Sequence, residues 1–373
     1  MPDQGSTSTV VAIRVDASLA IGVGHVMRCL TLAGALRERG ADVHFLSRPH
    51  EGNLIGHIEK EGFPVALLST VPAAATPSGT HSAQDYSDWL GASWQQDAAQ
   101  TQGILERLGP QWLVVDHYGL DARWERAVGE SAERVLVIDD LSDRAHVCDA
   151  LIDQGIGRTQ ADYLSLVPEK CRILAGAQFA LLRPEFAEFR QSSLMRRNSP
   201  MLKRLVISMG GVDRPNATGR ALEALKASSL PDGCEIIVVL GPQAPWREVV
   251  LRQANAMTSL CRVLTWIDDM ARLLAECDLS IGAAGSTVLE RCVLGVPSVV
   301  VTIAENQRSA AAQLQHLGAA EVIDLERLPE LLPPAISRMQ QTDALARMSH
   351  NASRLVDGMG SRRVVEFLME KPL

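Results

Sequence analysis

Two neighbouring stretches, Val10-Val-Ala-Ile-Arg-Val15 and Ile21-Gly-Val-Gly-His-Val-Met-Arg-Cys-Leu-Thr-Leu-Ala-Gly-Ala-Leu36, decide how this chain reads. An apolar run gives way to a loop with Gly22 and Gly24, then to a segment with Leu30, Ala33 and Leu36 at helical spacing. The pattern is strand, glycine loop, helix. Glycine supplies positive φ and lets a backbone come close, so the two glycines either receive a ligand or only shape a tight turn. His25 stands where the loop becomes the helix. The helix dipole at that end disfavours an imidazolium, and a neutral imidazole presented by a loop suits a general base. The plainer reading, that His25 only starts a helix, stands beside it on spacing alone.

Working outward, the same alternation of strand and helix signals fills the first half. Strands are expected at 10–15, Val43–Ser47, Val65–Leu68, Trp112–Asp116, Val135–Asp139 and Ala150–Asp153, with amphipathic helices such as Arg28–Arg39 and Asp97–Leu108 between them. Residues 70–84 are rich in Ala, Pro, Ser, Thr and Gly and read as a surface loop, and residues 1–9 as a disordered tail. Phe186–Lys203 is polar and basic and reads as a domain boundary. Beyond it the βα pattern resumes, with strands near Arg204–Met209, Glu235–Leu240, Arg262–Leu264, Asp278–Ile281, Ser298–Thr302 and Glu321–Ile323. Alternation of this kind makes a parallel sheet covered on both faces. Two such α/β domains are expected with a cleft between them, and ligands at the carboxyl ends of the strands.

Composition narrows the function. At 373 residues the chain is too long for one ordinary core. A net charge of −8 argues against a general nucleic-acid binder. No apolar run approaches a membrane span of about 20 residues, and the N-terminus lacks the pattern of a signal peptide. The seven cysteines form no C-x-x-C pair, so neither a zinc site nor a disulfide framework is indicated. These features point to a cytoplasmic protein, and nothing in the sequence marks an oligomeric state.

Residues at the strand ends carry the chemistry. Gly210-Gly211 follows one strand, and Gly282-Ala-Ala-Gly285-Ser286-Thr287 follows another. Both glycine loops lead into helices, whose free N–H groups suit phosphate. No lysine follows the glycines, so neither is a Walker loop. Glu290 either accepts ribose hydroxyls or closes a capping box with Thr287. Asn306 and Gln307 carry amides that both donate and accept, as sugar hydroxyl and acetamido groups require. In the first half, Asp16 and the turn Asp116-His117-Tyr118 are placed to position a sugar or orient the imidazole of His25. Asp139 and Asp140 lack a third metal ligand and read as caps of the next turn.

The ordered set of motifs resembles a known family. The glycine–His25 element, Trp89-Leu-Gly91, Val115-Asp-His-Tyr118, Ile138-Asp-Asp-Leu141, Asp153-Gln154, Leu181-Leu-Arg-Pro-Glu-Phe186, Met209-Gly-Gly211, Gly282-Ala-Ala-Gly-Ser286 and Glu305-Asn-Gln307 together resemble the UDP-2,4-diacetamido-2,4,6-trideoxy-β-L-altropyranose hydrolases of pseudaminic acid biosynthesis. The resemblance covers about residues 10–310. It implies a glycosyltransferase-B architecture with two Rossmann-like domains. The N-terminal one, 10–190, would carry His25 as general base, with Asp16, Gly22, Gly24, Arg28, Asp116, His117 and Tyr118 around the sugar. The C-terminal one, 200–373, would bind UDP through Gly210, Gly211, Gly285, Ser286, Thr287 and Glu290, with Asn306 and Gln307 reaching the sugar and the last helix returning to the first domain. It also implies a UDP-sugar as the small-molecule substrate, no cofactor and no metal. Ala17 stands where the family pattern leads one to expect a small polar residue. A glycosyltransferase on the same fold, or a nucleotide-sugar binder without chemistry, would share many of these features.

Overall fold

The computed structural model describes residues 8–70, 86–198, 200–241, 244–265, 267 and 269–370. The expected loop at 70–84 and the tail at 1–9 therefore lie outside the described residues, apart from Ser8, Thr9 and Thr70.

The chain forms two units, residues 1–181 with 360–373, and residues 182–359. In the first, seven strands make one sheet: β1 (Val10–Val15), β2 (Asp42–Ser47), β3 (Val65–Leu67), β4 (Trp112–Asp116), β5 (Arg134–Ile138), β6 (Ala150–Asp153) and β7 (Arg172–Ala175). Their order is β3-β2-β1-β4-β5-β6-β7, and all pairs are parallel. Alternate side chains of a strand point to opposite faces, and the sheet obeys this. Val11, Ile13 and Val15 enter a core with the helix Gly24–Glu38, while Ala12 enters another with Trp124 and Tyr163. The helix Gly360–Met369 also belongs to this unit. Its Val364, Val365 and Leu368 join the first of these cores, and Trp112 Nε1 donates to the Leu368 carbonyl at 3.0 Å.

The second unit has six strands: β8 (Arg204–Ser208), β9 (Glu235–Val239), β10 (Cys261–Leu264), β11 (Leu279–Ala283), β12 (Ser298–Thr302) and β13 (Glu321–Asp324). Their order is β10-β9-β8-β11-β12-β13, again parallel throughout. The chain changes unit at 181–182, ahead of the expected boundary at 186–203. The polar stretch read as a connection is instead a helix, Pro184–Arg196, with proline at its first position. It is fixed to the second unit by Ser193 Oγ donating to the Leu294 carbonyl (2.7 Å) and Arg197 Nε donating to Gly295 O (2.8 Å). Among the described residues no helix is long and apolar enough to cross a membrane.

Candidate functional site

Each sheet reverses its winding once, between β1 and β4 in the first unit and between β8 and β11 in the second. Loops leaving the carboxyl ends of strands on either side of such a point diverge and leave room for a ligand. The residues singled out from the sequence follow these four strands.

At the first switch point, Gly22 adopts φ +82°, and its N–H bonds back to Ser18 O at 2.8 Å. This left-handed turn is open to glycine at little cost. Gly24 has no positive φ and opens the helix Gly24–Glu38. His25 therefore occupies the first turn, above the β1–β4 junction. Its Nδ1 lies 2.6 Å from Asp116 Oδ1, at the end of β4. Asp116 is fully buried. Burial alone would raise its pKa, but Arg28 and His25 outweigh burial and hold the carboxyl well below its ordinary range. An ionised carboxylate only accepts, so Nδ1 of His25 donates to it, and in the neutral ring Nε2 is the nitrogen with the free lone pair. No described residue hydrogen-bonds Nε2.

Arg28, one turn further along the helix, grips the same carboxylate with Nε at 2.6 Å and Nη2 at 2.7 Å, the bidentate geometry that locks a carboxylate in place. Its Nη1 donates to Asp140. All three donor nitrogens of Arg28 are engaged by two carboxylates, and only 7% of its surface is exposed. Tyr118 OH donates to Asp140 at 3.1 Å, and its ring meets that of His25 edge-on at 4.6 Å. Tyr118 is only half-buried and packs in a row with Tyr86 and Trp89.

Two expected contacts lie elsewhere. Asp16 is fully buried, and its partners are Arg14 Nη1 (2.7 Å) and the Arg48 amide (2.7 Å), not His25. His117 turns its Nε2 toward Asp16 at 3.4 Å, while its Nδ1 accepts from the Gly119 amide at 3.0 Å. Both residues are enclosed and brace the strand ends. Sequence reasoning missed Asp140, which it took for a turn cap. Asp139 is the cap, accepting from the Ser142 amide at 2.8 Å. Among the described residues no three His, Cys, Asp or Glu side chains gather as metal ligands would.

At the second switch point, Gly210, Gly211, Gly285 and Ser286 are exposed. A side chain at Gly210, Gly211 or Gly285 would meet nothing within 4 Å. The two loops differ in what they offer. The helix after Gly210-Gly211, Ala217–Lys226, is already capped. Asp213 accepts from the Ala217 and Thr218 amides, and Asn216 from that of Gly219. The first-turn amides of that helix are thus taken by its own side chains, which leaves the loop itself, Gly210-Gly211, and not the helix end, to meet an anion. The helix Thr287–Val293 has no side-chain cap. The expected capping box between Thr287 and Glu290 does not form, because Ser286 is the N-cap and Thr287 already lies inside the helix. Glu290 is half-buried, and burial raises its pKa against the pull of Arg183 and Arg291. Gln307 is partly committed, its side-chain oxygen accepting from the Ile303 amide at 3.1 Å; Asn306 is exposed.

Comparison with known proteins places this geometry. Residues 220–361 match the glycosyltransferase family 28 C-terminal domain. Over the whole chain the structure is similar to the crystal structure of Acinetobacter baumannii MurG, with a TM-score of 0.69 at 18% identity, covering 98% of this chain and 100% of that one. The fold is glycosyltransferase-B. Among named proteins, the chain is 26% identical over 309 residues to the UDP-2,4-diacetamido-2,4,6-trideoxy-β-L-altropyranose hydrolase of Campylobacter jejuni, covering 83% of this chain and 97% of the relative. It is 28% identical over 370 residues to the spore coat polysaccharide biosynthesis protein SpsG of Bacillus subtilis, covering 96% and 98%. A Methanocaldococcus jannaschii protein whose name assigns no activity is 25% identical over 302 residues; these span 80% of this chain but only 56% of that longer relative. The resemblance drawn from the ordered motifs thus holds over most of this glycosyltransferase-B chain.

Proposed function

We propose that this protein hydrolyses a UDP-linked 2,4-diacetamido-2,4,6-trideoxy hexose, as a step in pseudaminic acid biosynthesis. The observation that carries the reading is the His25–Asp116 pair, whose Nδ1 is held at 2.6 Å by a buried carboxylate while Nε2 has no hydrogen-bond partner among the described residues. In the proposed step Nε2 takes a proton from water as the water oxygen bonds to the anomeric carbon. The bond from that carbon to the β-phosphate oxygen breaks with inversion, and UDP leaves as the anion. Asp116 stabilises the imidazolium that forms. UDP is a good leaving group, so the reading needs no general acid. The exposed loops at Gly210-Gly211 and Gly285–Thr287 are assigned to the nucleotide, where backbone N–H groups meet developing charge. The support for the sugar is the similarity to the Campylobacter jejuni hydrolase.

A second reading, transfer of the sugar to an acceptor, is favoured by the family 28 domain and by the similarity to MurG. Incubation with the UDP-sugar in the absence of acceptor separates the two. Hydrolysis releases UDP over many turnovers; a transferase releases it only slowly, and a binding protein not at all. In H₂¹⁸O the heavy oxygen is expected on the sugar. Its appearance on UDP would mean attack at phosphorus and would end the proposed role of His25.

Glu290 offers a separate check on the nucleotide assignment. With no capping box to serve, its carboxylate is assigned to the ribose hydroxyls. Glu290→Ala is expected to weaken UDP binding by about 1–3 kcal/mol, the worth of a hydrogen bond to a charged group, with thermal stability unchanged. Unchanged UDP affinity in calorimetry would remove Glu290 from the site.

A further inference from the structure

Arg291, the residue after Glu290, is a buried cation with no described carboxylate in ion-pair contact; Glu290 acts on it only through space. It is 2% exposed. Its Nη2 donates to the Ala283 carbonyl at 2.7 Å, and its Nε is enclosed without a hydrogen-bond partner. No described carboxylate pairs with it within 4.0 Å. Burial lowers its pKa to about 10, so the guanidinium is still charged at neutral pH. Burying a charge in this way is costly unless something offsets it.

The other deeply buried arginine of this unit shows what an offset looks like. Arg197 donates to the carbonyls of Gly295 (2.8 Å) and Leu274 (3.1 Å). Leu274 lies in the last turn of the helix Met270–Glu276, whose carbonyl end carries partial negative charge. Arg291 has one carbonyl and no helix end.

The place of the charge explains a glycine. A β-carbon on Gly282 would lie 2.1 Å from Arg291 Nη1 and 2.7 Å from the Ser208 carbonyl. Gly282 is buried, so it does not face a ligand; it makes room for the guanidinium. The charge thereby sits at the junction of β8 and β11, at the base of both exposed glycine loops. Above it, the backbone N–H groups of Gly285, Ser286 and Thr287 make no hydrogen bond to any described residue. A cation fixed to the Ala283 carbonyl, two residues before Gly285, thus lies next to a loop of unpaired amides.

We propose that Arg291 supplies the fixed positive charge of an anion site at these two loops, and that its ligand is the diphosphate of a nucleoside diphosphate. The choice of ligand rests on the function proposed above; the anion site does not. Arg291 acts through space, from beneath the loop, and touches no substrate. Its contribution therefore scales with the charge of the ligand, which a packing role would not do.

The test is calorimetric titration of the full chain with uridine, UMP, UDP and inorganic pyrophosphate, for the wild type and for Arg291→Lys, Arg291→Gln and Arg291→Met. UDP affinity is expected to fall on the order of tenfold or more in the Gln and Met proteins, UMP affinity by less and uridine affinity not at all, with Lys retaining most of the wild-type value. The Met protein should be no less stable to heat than the wild type, because a buried charge has gone. Equal losses for uridine and UDP, or full UDP affinity in the Gln protein, would overturn the proposal. Should wild type bind pyrophosphate through Arg291 but not UDP, the anion site stands and the assigned function falls. Binding of neither overturns both.

Discussion

Replacement of His25 by Ala or Asn is expected to lower kcat for UDP release by about 10²–10⁴-fold, the usual worth of a positioned general base, with UDP affinity unchanged. The split follows from the geometry. His25 belongs to the first unit and touches Asp116, Arg28 and Tyr118, whereas the groups assigned to UDP all belong to the second. A base that acts only on water contributes to the transition state and not to ground-state binding, so the loss should appear in kcat and kcat/KM together. Steady-state hydrolysis beside calorimetric titration with UDP measures both. An Asn variant with wild-type kcat would remove the base role and leave His25 as the start of a helix.

The fold was legible because its strands are short apolar runs with polar ends. β1, β4, β6 and β12 coincide with the runs read from sequence. β7 was missed because Arg172-Ile-Leu-Ala175 is exposed at its first position and runs on into Gly176 and Ala177, further small residues that blur its end. The helix Pro184–Arg196 was missed because only Phe186 and Ser193 of its 13 residues are buried; so thin an apolar stripe gives little periodicity. The site divides in the same way. His25 was found from its own neighbourhood, since a glycine turn and a helix start are local features. Its pairing with Asp116 spans 91 positions and depends on β1 lying beside β4, a matter of strand order. Asp140 was misjudged for the same reason, since β5 reaches Arg28 only because it is the next strand across. Gly282 was read as part of a phosphate loop, and only the three-dimensional packing shows that it accommodates Arg291.

Asp116→Asn should cost both activity and stability, and the two losses can be separated. In activity, an amide can turn its NH₂ toward Nδ1 of His25 and so favour the tautomer with the proton on Nε2, where it is useless to a base; it also cannot stabilise the imidazolium. A fall in kcat on the order of 10²–10⁴-fold is expected. In stability, Arg28 loses its bidentate partner while still buried, which costs about 3 kcal/mol or more. Urea denaturation measures this. Asp140→Asn is the control, because it also deprives Arg28 of a carboxylate but leaves the 2.6 Å contact between His25 and Asp116 in place. It should lower stability while changing kcat only a few-fold. Equal losses of kcat in the two variants would make Asp116 a counter-ion of Arg28 and nothing more to His25. The pH dependence of stability gives a third readout. The folded pKa of Asp116 is depressed, with Arg28 and then His25 overriding the opposing effect of burial. Its stabilisation is therefore fully present above the unfolded carboxyl value of about 3.9 and is lost as pH falls below it. Wild type should lose stability on acidification through this range, and the Asn protein, which has no proton to gain at position 116, should lose measurably less.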